Sequence, residues 1–330
     1  MQTKHNHIIP LSHEGGTLIQ TCFGAFTCGF FIVTWLLSIL SPIVLYMSIS
    51  TKSHVSTGII LTLVALAYLP IWDRKGKVPT AIRSFWRTYN PMYYKKCKVL
   101  FEDTLPASVG DNKPTFYAVH PHGAVSLGWS VLYLSKCMDN VRFCFSPVLY
   151  YSPFFKVFSM ITGNPGKADK KSMISYLKKG ENLALPPGGF EEATITSPNQ
   201  DRVYIKKRTG FVKLCLQHGY SIVPVYCFGE KETFHNVQGF WSLRFKMNSF
   251  GLPAIAIWGA SWFPVLPKRG KNGFFIVAGK RIHVPKIDNP SKEEVKVWHD
   301  KYMAALTQIF EEHKVEAYGD DAKSMKLELW

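Results

Sequence analysis

Two long apolar runs dominate the N-terminal part of the chain. Residues 23–49 carry no charged side chain and are rich in Phe, Leu, Ile and Val, which is typical of a membrane-crossing helix. A short polar break containing Lys52 separates them from a second uncharged run, residues 57–72, whose end carries Tyr68 and Trp72, as interfacial segments often do. The pattern predicts a transmembrane helical hairpin over residues 23–72. For the shorter second run, a buried core helix is the alternative.

Lysine and arginine are concentrated directly after the second run. The basic residues there are Arg74, Lys75, Lys77, Arg83, Arg87, Lys95, Lys96 and Lys98. The positive-inside rule therefore predicts that the following body is cytosolic, and two crossings would return residues 1–22 to the same side. Residues 73–103 also contain Trp86, Tyr89, Tyr93 and Tyr94. We expect this connector to lie along lipid headgroups, with a solvated charged linker as the alternative.

From residue 104 to residue 330, short apolar runs alternate with helical patterns. Strands are predicted at Phe116–Val119, Phe143–Tyr150, Asn182–Leu185, Ser221–Phe228 and Phe274–Val277. Helices are predicted at Ala124–Leu134, Pro153–Ile161, Lys171–Lys179, Thr209–His218 and after the capping box Ser291-x-x-Glu294. The alternation predicts one α/β domain with a mixed central sheet flanked by helices. Phe240–Pro267 has no clear period, so the pattern leaves it as either core or a lipid-facing wall.

Composition narrows the classes of protein. Hydrophobic residues make up 47% of the chain, which excludes a disordered protein, and the net charge of +16 predicts an anionic partner. Nucleic acid ranks last among such partners, because the sequence has no zinc finger, RNA-recognition signature or basic coiled coil. The seven cysteines are odd in number and lack CxxC spacing, which favours free thiols in a reducing compartment.

The predicted strand Phe116–Val119 leads into His120-Pro121-His122-Gly123, followed by an apolar helical pattern. Three interpretations of the two histidines are open: hydrogen-bonded residues at a strand end, ligands of one zinc ion, or a general base. A zinc site would need a third ligand, which His218 or His235 could supply only if the fold brings one of them near. A proline and a glycine beside two imidazoles at the mouth of a buried strand–helix unit favour the general base.

Two further groups of polar residues follow predicted strands. Pro187-Gly188-Gly189-Phe190-Glu191-Glu192 places carboxylates where an imidazole could be oriented, although capping of a helix start would explain them as well. A basic cluster before the next helix could hold phosphates, and a solvated charge run is its alternative. This cluster comprises Arg202, Lys206, Lys207 and Arg208. A third strand ends in Phe228-Gly229-Glu230.

Taken in order, these motifs resemble those of the type-2 diacylglycerol acyltransferase family, which includes monoacylglycerol and wax-alcohol acyltransferases. The matching residues are His120-Pro121-His122-Gly123, Gly188-Gly189-Phe190-Glu191-Glu192, Arg208-x-Gly210-Phe211, Val223-Pro224 and Phe228-Gly229-Glu230. A looser match covers Gly279–Pro285 and the final helix. The resemblance covers nearly the whole chain and implies a glycerolipid acyltransferase-like fold behind the hairpin.

The resemblance also implies an activity and a place for it. Acyl-CoA would acylate a lipid hydroxyl, with diacylglycerol giving triacylglycerol, at the cytosolic face of the endoplasmic reticulum; the lipid droplet is a second location. His122 would be the general base, His120 would assist it and Glu192 would orient the imidazole. Backbone N–H groups after Gly123 would stabilise the oxyanion. The substrate-binding residues implied are Pro121, Gly123, Gly188, Gly189, Arg208, Gly210, Phe211, Pro224, Gly229 and Glu230, with the CoA phosphates near Arg208.

The resemblance leaves several alternatives open. The acceptor could instead be monoacylglycerol or a long-chain alcohol, and a homo-oligomer is a further possibility. Acyl-CoA acts as co-substrate, so we expect neither a cofactor nor a metal. Related acyltransferases place an aspartate shortly after the histidine, where this chain has Val125, Ser126 and Leu127. Two rival classes are a non-catalytic hairpin protein of lipid droplets and a metal-dependent lipid hydrolase using His120 and His122.

Overall fold

The computed structural model describes residues 7–12, 16–67, 80–103, 105–106, 114–251 and 254–330. The strands are β1 (His7–Ser12), β2 (Cys97–Phe101), β3 (Thr115–His120), β4 (Val141–Phe145), β5 (Pro165–Lys167), β6 (Asn182–Leu185), β7 (Asp201–Val203), β8 (Ser221–Phe228), β9 (His235–Asn236), β10 (Ile257–Trp258), β11 (Phe274–Ala278) and β12 (Leu327–Leu329). The α-helices are α1 (Leu18–Ser50), α2 (His54–Ala67), α3 (Thr80–Tyr89), α4 (Leu127–Leu134), α5 (Pro147–Tyr151), α6 (Pro153–Thr162), α7 (Lys170–Lys178), α8 (Gly189–Ile195), α9 (Gly210–His218), α10 (Trp241–Ser249) and α11 (Lys292–Tyr318). Short 3₁₀ helices lie at Asn90–Tyr93, Lys136–Met138, Glu230–Glu232 and Gly319–Ser324.

In the described part of the chain, eight strands form the central sheet in the order β1-β2-β11-β8-β3-β6-β4-β5. The β1–β2 and β11–β8 pairs are antiparallel, and the other neighbouring pairs are parallel. The predicted mixed sheet is therefore confirmed. The strand β3, which ends at His120, lies between β8 and β6, so its C-terminal end opens at the middle of the sheet.

Helices cover both faces of the sheet, and the side chains of β3 alternate between two cores. Tyr117 and Val119 face the core that contains buried residues of α1, α4 and α6. Phe116 and Ala118 face the core that contains buried residues of α7, α9 and α11. A strand buried on both sides reads as a continuous apolar run, which explains why β3 could be recognised in the sequence.

The observed bounds agree with most of the predicted elements and correct two of them. β6 and β8 have the predicted bounds, and Ser291 caps α11 through the predicted capping box with Glu294. The predicted strand Phe143–Tyr150 is wrong in its second half. β4 ends at Phe145, and Ser146 caps α5, which begins at Pro147 because proline suits the first turn of a helix and cannot donate to a sheet.

The helix predicted to start at Ala124 begins at Leu127 instead. Residues 121–126 form a loop with a turn at residues 123–125, and Ser126 has a left-handed backbone with φ of 59°. Its side chain contacts the ring of His122, an interaction that the apolar pattern does not reveal. The corner between β3 and α4 is therefore longer than predicted.

The helix α1 is long and apolar enough to cross a membrane by length and composition. Its exposed side chains include an apolar stripe spaced by three, four or seven residues, formed by Ile19, Phe23, Phe26, Val33, Leu40, Val44 and Met47. The opposite side of its first half is buried in the body, where Cys28, Phe31 and Ile32 join the core beneath β3. Because a stripe facing water would be polar, the α1 stripe is suited to lipid.

The helix α2 follows α1 after a break of three residues, close to the predicted polar break. At 1.5 Å per residue its 14 residues span about 21 Å, less than the ~30 Å hydrocarbon core of a bilayer. The last part of the second predicted run, including Tyr68 and Trp72, lies outside the described residues, as do Arg74, Lys75 and Lys77. The described structure thus contains one helix of spanning length, and the hairpin remains a prediction.

The connector predicted to lie along headgroups is largely integrated into the body. Its described part forms α3, a 3₁₀ helix and β2. Trp86, Tyr93 and Tyr94 are buried, which corrects the expectation that the aromatic residues lie at a membrane surface. The local pattern did not reveal this burial, because the rings that cover Trp86 are those of Phe30 and Phe158, far away in sequence.

The stretch Phe240–Pro267, left undecided above, exposes much of its apolar surface. α10 has an outward stripe of Phe240, Leu243, Met247 and Phe250 beside a buried Arg244. The turn after β10 exposes Trp262 and Phe263. The stretch is therefore not mainly core, and its lack of a single period follows from its division into a short helix, a two-residue strand and a turn.

We expect Gly24→Ala to displace α1 from the body. A Cβ at Gly24 would lie 2.5 Å from the backbone nitrogen of Tyr93 and 2.9 Å from the carbonyl oxygen of Tyr89. Overpacking of this kind should lower the free energy of unfolding by about 1–3 kcal/mol. Gly58→Ala in α2 is the matched control, because nothing lies within 4 Å of its added Cβ. Thermal unfolding in detergent measures the difference, and equal midpoints would contradict the close approach.

Candidate active site

The predicted histidine corner lies at the C-terminal end of β3. His120 is the last residue of the strand and is fully buried, and its peptide bond to Pro121 is cis. Nδ1 of His120 lies 3.0 and 3.1 Å from the two carboxylate oxygens of Glu192, which is also fully buried. Since a carboxylate can only accept, the Nδ1 of His120 carries the proton. The structure thus brings His120 and Glu192 together as a buried pair.

Glu192 holds three parts of the chain at once. It lies in the first turn of α8, a favourable place for a carboxylate because of the helix dipole. Besides the His120 ring, it accepts hydrogen bonds from the backbone N–H groups of His122 at 2.6 Å and Tyr204 at 3.1 Å. Its neighbour Gly188 lies against the carboxylate, where a side chain would collide with it. Glu192 is therefore a satisfied buried acceptor.

The ring of His122 has different partners from the ring of His120. Its Nδ1 donates to the carbonyl oxygen of Gly123 at 2.9 Å and lies 3.1 Å from Oγ of Ser126. We predicted that Glu192 orients the His122 imidazole directly, and this detail is corrected: Glu192 binds the His122 backbone, while Gly123 and Ser126 hold the ring. A carbonyl can only accept, so neutral His122 has its lone pair on Nε2.

His122 has the electrostatic character of a base. Burial lowers the pKa of its imidazole below the ordinary value, although the hydrogen bond to Gly123 and the charge of Glu192 oppose that change. The neutral ring therefore predominates at neutral pH, and a neutral imidazole is the form that can take a proton. His120, by contrast, is enclosed on all sides.

An apolar cavity of about 80 Å³ adjoins His122. Phe31 and Trp35 of α1 line one side of it, and Phe145 and Phe190 line other parts. The sequence did not indicate that α1 contributes to this cavity, because an apolar run carries no signal of which side chains face a protein and which face lipid. The cavity therefore lies between His122, the candidate base, and α1, the helix whose exposed stripe is suited to lipid.

Glu230 lies beneath the same corner, where it changes one expectation. Its carboxylate accepts hydrogen bonds from the backbone N–H groups of Leu127 at 3.1 Å and Gly128 at 2.5 Å, the first residues of α4. These helix-start groups were predicted to stabilise an oxyanion, but Glu230 occupies them. Gly123 has φ of +63° and lies against this carboxylate, where a Cβ would clash. Burial raises the pKa of Glu230 to about 8, against the effect of its backbone hydrogen bonds.

The basic cluster divides between two places. Arg208 forms an ion pair with Glu191 and donates to the carbonyl oxygen of Gly188 at 3.3 Å. It lines an open cleft of about 670 Å³. Other residues that line this cleft are Lys170, Leu185, Pro187, Lys207, Gly210, Phe211 and Lys213. Arg202 instead pairs with Glu328, and Lys206 is exposed beyond the residues lining the cleft.

The remaining predicted site residues belong to the framework around the corner. Pro224 lies within β8 opposite Ala118, and its carbonyl oxygen accepts from Gly279 at 2.9 Å. Gly229 has φ of 94° and turns the chain from β8 towards Glu230. Gly189 opens α8 with φ of 59°. These residues position the carboxylates rather than line the cavity at His122.

The histidines considered as further zinc ligands lie at other places. His235 contacts Lys268 and stacks on Trp258, and His218 lies at the end of α9. Within the described ranges, a group of His and acidic side chains with spacing suited to a metal is formed by Glu102, Glu312 and His313, remote from the corner in sequence. The fold thus supplies neither His218 nor His235 as a third ligand for His120 and His122.

Comparison with known proteins identifies one family. The sequence model described as diacylglycerol acyltransferase matches residues 55–329. The mouse protein called diacylglycerol O-acyltransferase 2-like protein 6 is 31% identical over 61% of this chain and 66% of its own length. Human 2-acylglycerol O-acyltransferase 3 is 29% identical over 70% of this chain and 72% of its own length. Diacylglycerol O-acyltransferase 2 of Dictyostelium discoideum is 29% identical over 69% and 76% respectively.

Glu230 should make stability depend on pH. Its folded pKa of about 8 exceeds the ordinary 4.5, so folding binds a proton between these values. The stability contribution is complete below about pH 4.5 and is lost as the pH rises through 8, by an amount on the order of a few kcal/mol. Glu230→Gln cannot titrate, so its stability relative to the wild type should increase across that range. Urea unfolding at a series of pH values measures this, and parallel profiles would contradict the assignment.

Proposed function

The chain belongs to the diacylglycerol acyltransferase family, and we propose that it transfers a fatty acyl group from acyl-CoA to diacylglycerol, forming triacylglycerol. The observation that carries the proposal is His122: its Nδ1 is bound to Gly123, its Nε2 holds the lone pair, and it lines an apolar cavity. A lipid hydroxyl is a weak nucleophile at neutral pH and requires such a base.

In the proposed reaction, His122 takes the proton of the lipid hydroxyl as its oxygen attacks the thioester carbonyl. A carbon–oxygen bond forms, the carbon–sulfur bond breaks, and the proton passes from His122 to the departing CoA thiolate. Atoms and charge balance without an acyl-enzyme. Burial raises the pKa of the Cys144, Cys215 and Cys227 thiols, which argues against them as nucleophiles.

His120 and Glu192 are proposed to position the base rather than to exchange protons with substrate. The hydrogen bond from the His122 backbone to Glu192 fixes where the catalytic residue leaves β3, and the His120 ring fixes Glu192. Positioning of this kind matters because small displacements of a catalytic group can slow a reaction strongly. His120, Glu192 and His122 are linked in series by hydrogen bonds, as the residues of a catalytic triad are. Here, however, Glu192 accepts from the backbone N–H of His122 and not from its ring.

The cleft beside Arg208 is proposed to receive the phosphates of CoA. The segment that leads from β6 into α8 separates it from the cavity: Leu185 and Pro187 line the cleft, whereas Pro186 and Phe190 line the cavity. A CoA molecule could therefore lie on the basic side while its acyl thioester reaches His122. Lys170, Lys207 and Lys213 supply positive charge for the phosphates.

The pairing of β1 with β2 supports a membrane hairpin. These strands precede and follow the apolar helices, yet their residues pair directly, for example His7 with Phe101. Paired strands lie on one side of a membrane, so the chain between them must cross an even number of times. We propose that α1 and the apolar run after it enter and return, leaving both termini on the cytosolic face of the endoplasmic reticulum.

Monoacylglycerol is the second candidate acceptor. The chain is equally similar, at 29% identity, to human 2-acylglycerol O-acyltransferase 3 and to diacylglycerol O-acyltransferase 2 of Dictyostelium discoideum, so both acceptors are supported. The apolar lining of the cavity suits either lipid and discriminates weakly between chain lengths.

A competition assay tests the reaction. Purified protein in vesicles receives one labelled acyl-CoA with diacylglycerol, monoacylglycerol and a long-chain alcohol at equal concentrations. We expect triacylglycerol as the main direct product. If diacylglycerol formed from monoacylglycerol predominates, monoacylglycerol is the acceptor and the proposed reaction is wrong. If no ester forms, the chain is not an acyltransferase and a non-catalytic hairpin protein is favoured.

Single substitutions in the same assay separate the two histidines. We expect His122→Ala to lower kcat by about 10²–10⁴-fold at unchanged thermal stability, because it removes the base. His120→Ala should lower stability as well, because it leaves the buried Glu192 without its ring partner. His218→Gln, at the end of α9, is the control and should have little effect on either quantity. Full turnover by His122→Ala would exclude the mechanism.

The double substitution Lys207→Gln and Lys213→Gln tests the CoA cleft. Both side chains are exposed and line the cleft, so we expect KM for acyl-CoA to rise about two- to tenfold with little change in kcat. The variant should also discriminate less between acyl-CoA and its analogue without the 3′-phosphate. Lys292→Gln with Lys296→Gln on α11 removes equal charge elsewhere. An equal effect of both pairs would mean that net charge, not the cleft, binds CoA.

A further inference from the structure

A turn of exposed aromatic side chains follows β10. Trp262 is 74% exposed, and Trp258 and Phe263 are 47% and 48% exposed, which is unusual for large apolar groups that lie close in sequence. The rings of Trp262 and Phe263 stack with centroids 6.1 Å apart. We call residues 258–265 the aromatic turn.

The aromatic turn is held firmly by the backbone. Gly259 donates to the carbonyl oxygen of Pro264 at 2.8 Å, and Ala260 donates to that of Leu266 at 2.8 Å. Leu266 is buried, and Gly29 of α1 approaches it so closely that an added Cβ would lie 3.3 Å from it. The exposed rings are therefore presented by a fixed turn, which lowers the entropic cost of inserting them into another phase.

The aromatic turn adjoins the outward side of α1. A cleft of about 600 Å³ lies between them, lined by Cys22 and Ala25 of α1 and by Trp258 and Trp262. Cys22 lies three positions after Ile19 and four before Phe26, so it shares a helix face with these two residues of the exposed α1 stripe. The exposed surface of the aromatic turn is thus continuous with the surface of α1 that is suited to lipid.

Positive charge borders this surface. Lys268 and Arg269 line the cleft, and Arg269 also lines a second cleft of about 670 Å³ with Lys95 and Lys271. No carboxylate is among the described residues that line either cleft. The acidic groups nearby are Glu232, which accepts from backbone N–H groups of the 271–272 turn, and Asp321, which pairs with Lys271. Basic side chains beside exposed tryptophans match the phosphate and acyl layers of a membrane interface.

We propose that the aromatic turn is a second membrane anchor, which inserts Trp262 and Phe263 into the interface while Lys268 and Arg269 meet the phosphates of anionic lipids. This inference rests on the membrane placement of α1 proposed above. A second copy of the chain is a poorer occupant, because a two-fold contact through this face would place two sets of basic side chains in one interface, and the described residues that line the two clefts include no carboxylate to neutralise them. A second anchor at this turn would restrict the tilt of the body on the membrane.

A fluorescent probe tests the depth of the aromatic turn. Phe263→Cys is labelled with an environment-sensitive dye in a Cys22→Ser, Cys137→Ser background, since the other cysteines are buried. Val297→Cys on α11, replacing a residue 52% exposed, is the matched control. In phosphatidylcholine vesicles containing some phosphatidylserine, we expect a blue shift and several-fold stronger quenching by lipid-attached nitroxides at position 263 than at 297. Equal quenching at both positions overturns the proposal.

The lipid charge dependence is tested separately. Lys268→Gln with Arg269→Gln should reduce the effect of phosphatidylserine on probe quenching, whereas Lys292→Gln with Lys296→Gln should leave it unchanged. Thermal unfolding checks the first pair, because Lys268 contacts His235 and Arg269 binds the Tyr93 carbonyl oxygen. Retained dependence in a folded double variant overturns the assignment of the cations.

The same measurements distinguish a second copy of the chain bound at the aromatic turn from lipid, and they show separately whether α1 binds the membrane. A blue shift that grows with protein concentration, without quenching by lipid nitroxides, would show that a second copy of the chain covers the aromatic turn, and it would overturn the proposal. Vesicle flotation reports on α1: protein that floats without quenching at position 263 overturns only the aromatic anchor. Protein that fails to float overturns both membrane assignments. None of these measurements depends on turnover, so they are independent of the reaction.

Discussion

The buried carboxylate of Glu192 is the interaction on which the candidate site depends. Removing a carboxylate from water costs several kcal/mol unless its lone pairs are satisfied, and here three donors satisfy it: the His120 ring and the backbones of His122 and Tyr204. Those donors come from the end of β3, the following corner and the segment after β7. The cost of burying the charge therefore reinforces the meeting of the β3 end, the start of α8 and the segment after β7, the first two of which the pairing of β3 with β6 already brings close.

Glu230 is the second buried carboxyl group at the corner, and burial raises its pKa to about 8. It takes the N–H groups at the start of α4, and the left-handed Gly123 leaves room for it. The segment containing His122 is thus fixed between two buried carboxyl groups, one at the start of α8 and one after β8. The His122 ring stays outside both pairs, bound to a neighbouring carbonyl, with one nitrogen left for a reaction. The backbone of His122 is held rigidly through its N–H group, whereas the Nε2 atom of its ring stays available, so the two properties do not conflict.

The sequence predicted what depends on local pattern. β6 and β8 are buried on both faces and have turn residues at their ends, so their bounds could be read directly, and the family motifs located the corners. It did not predict which donors each carboxyl group meets: that of Glu230, expected to bind substrate, accepts hydrogen bonds from the first backbone N–H groups of α4. That choice depends on strand order and helix position, which are set by long-range contacts. The burial of Trp86 was missed for the same reason, because its partners Phe30 and Phe158 lie far away in sequence.

The pairing of β1 with β2 has a consequence for how the chain is made. β1 leaves the ribosome before α1, but its partner strand is synthesised only after both apolar helices, about ninety positions later in the register that joins His7 to Phe101. The edge of the sheet therefore cannot close until both apolar helices have been synthesised. Biosynthetic order gives these helices time to reach their place before the sheet is complete. β1 then pairs with β2 and completes the edge of the sheet, after the apolar segment between them has been synthesised.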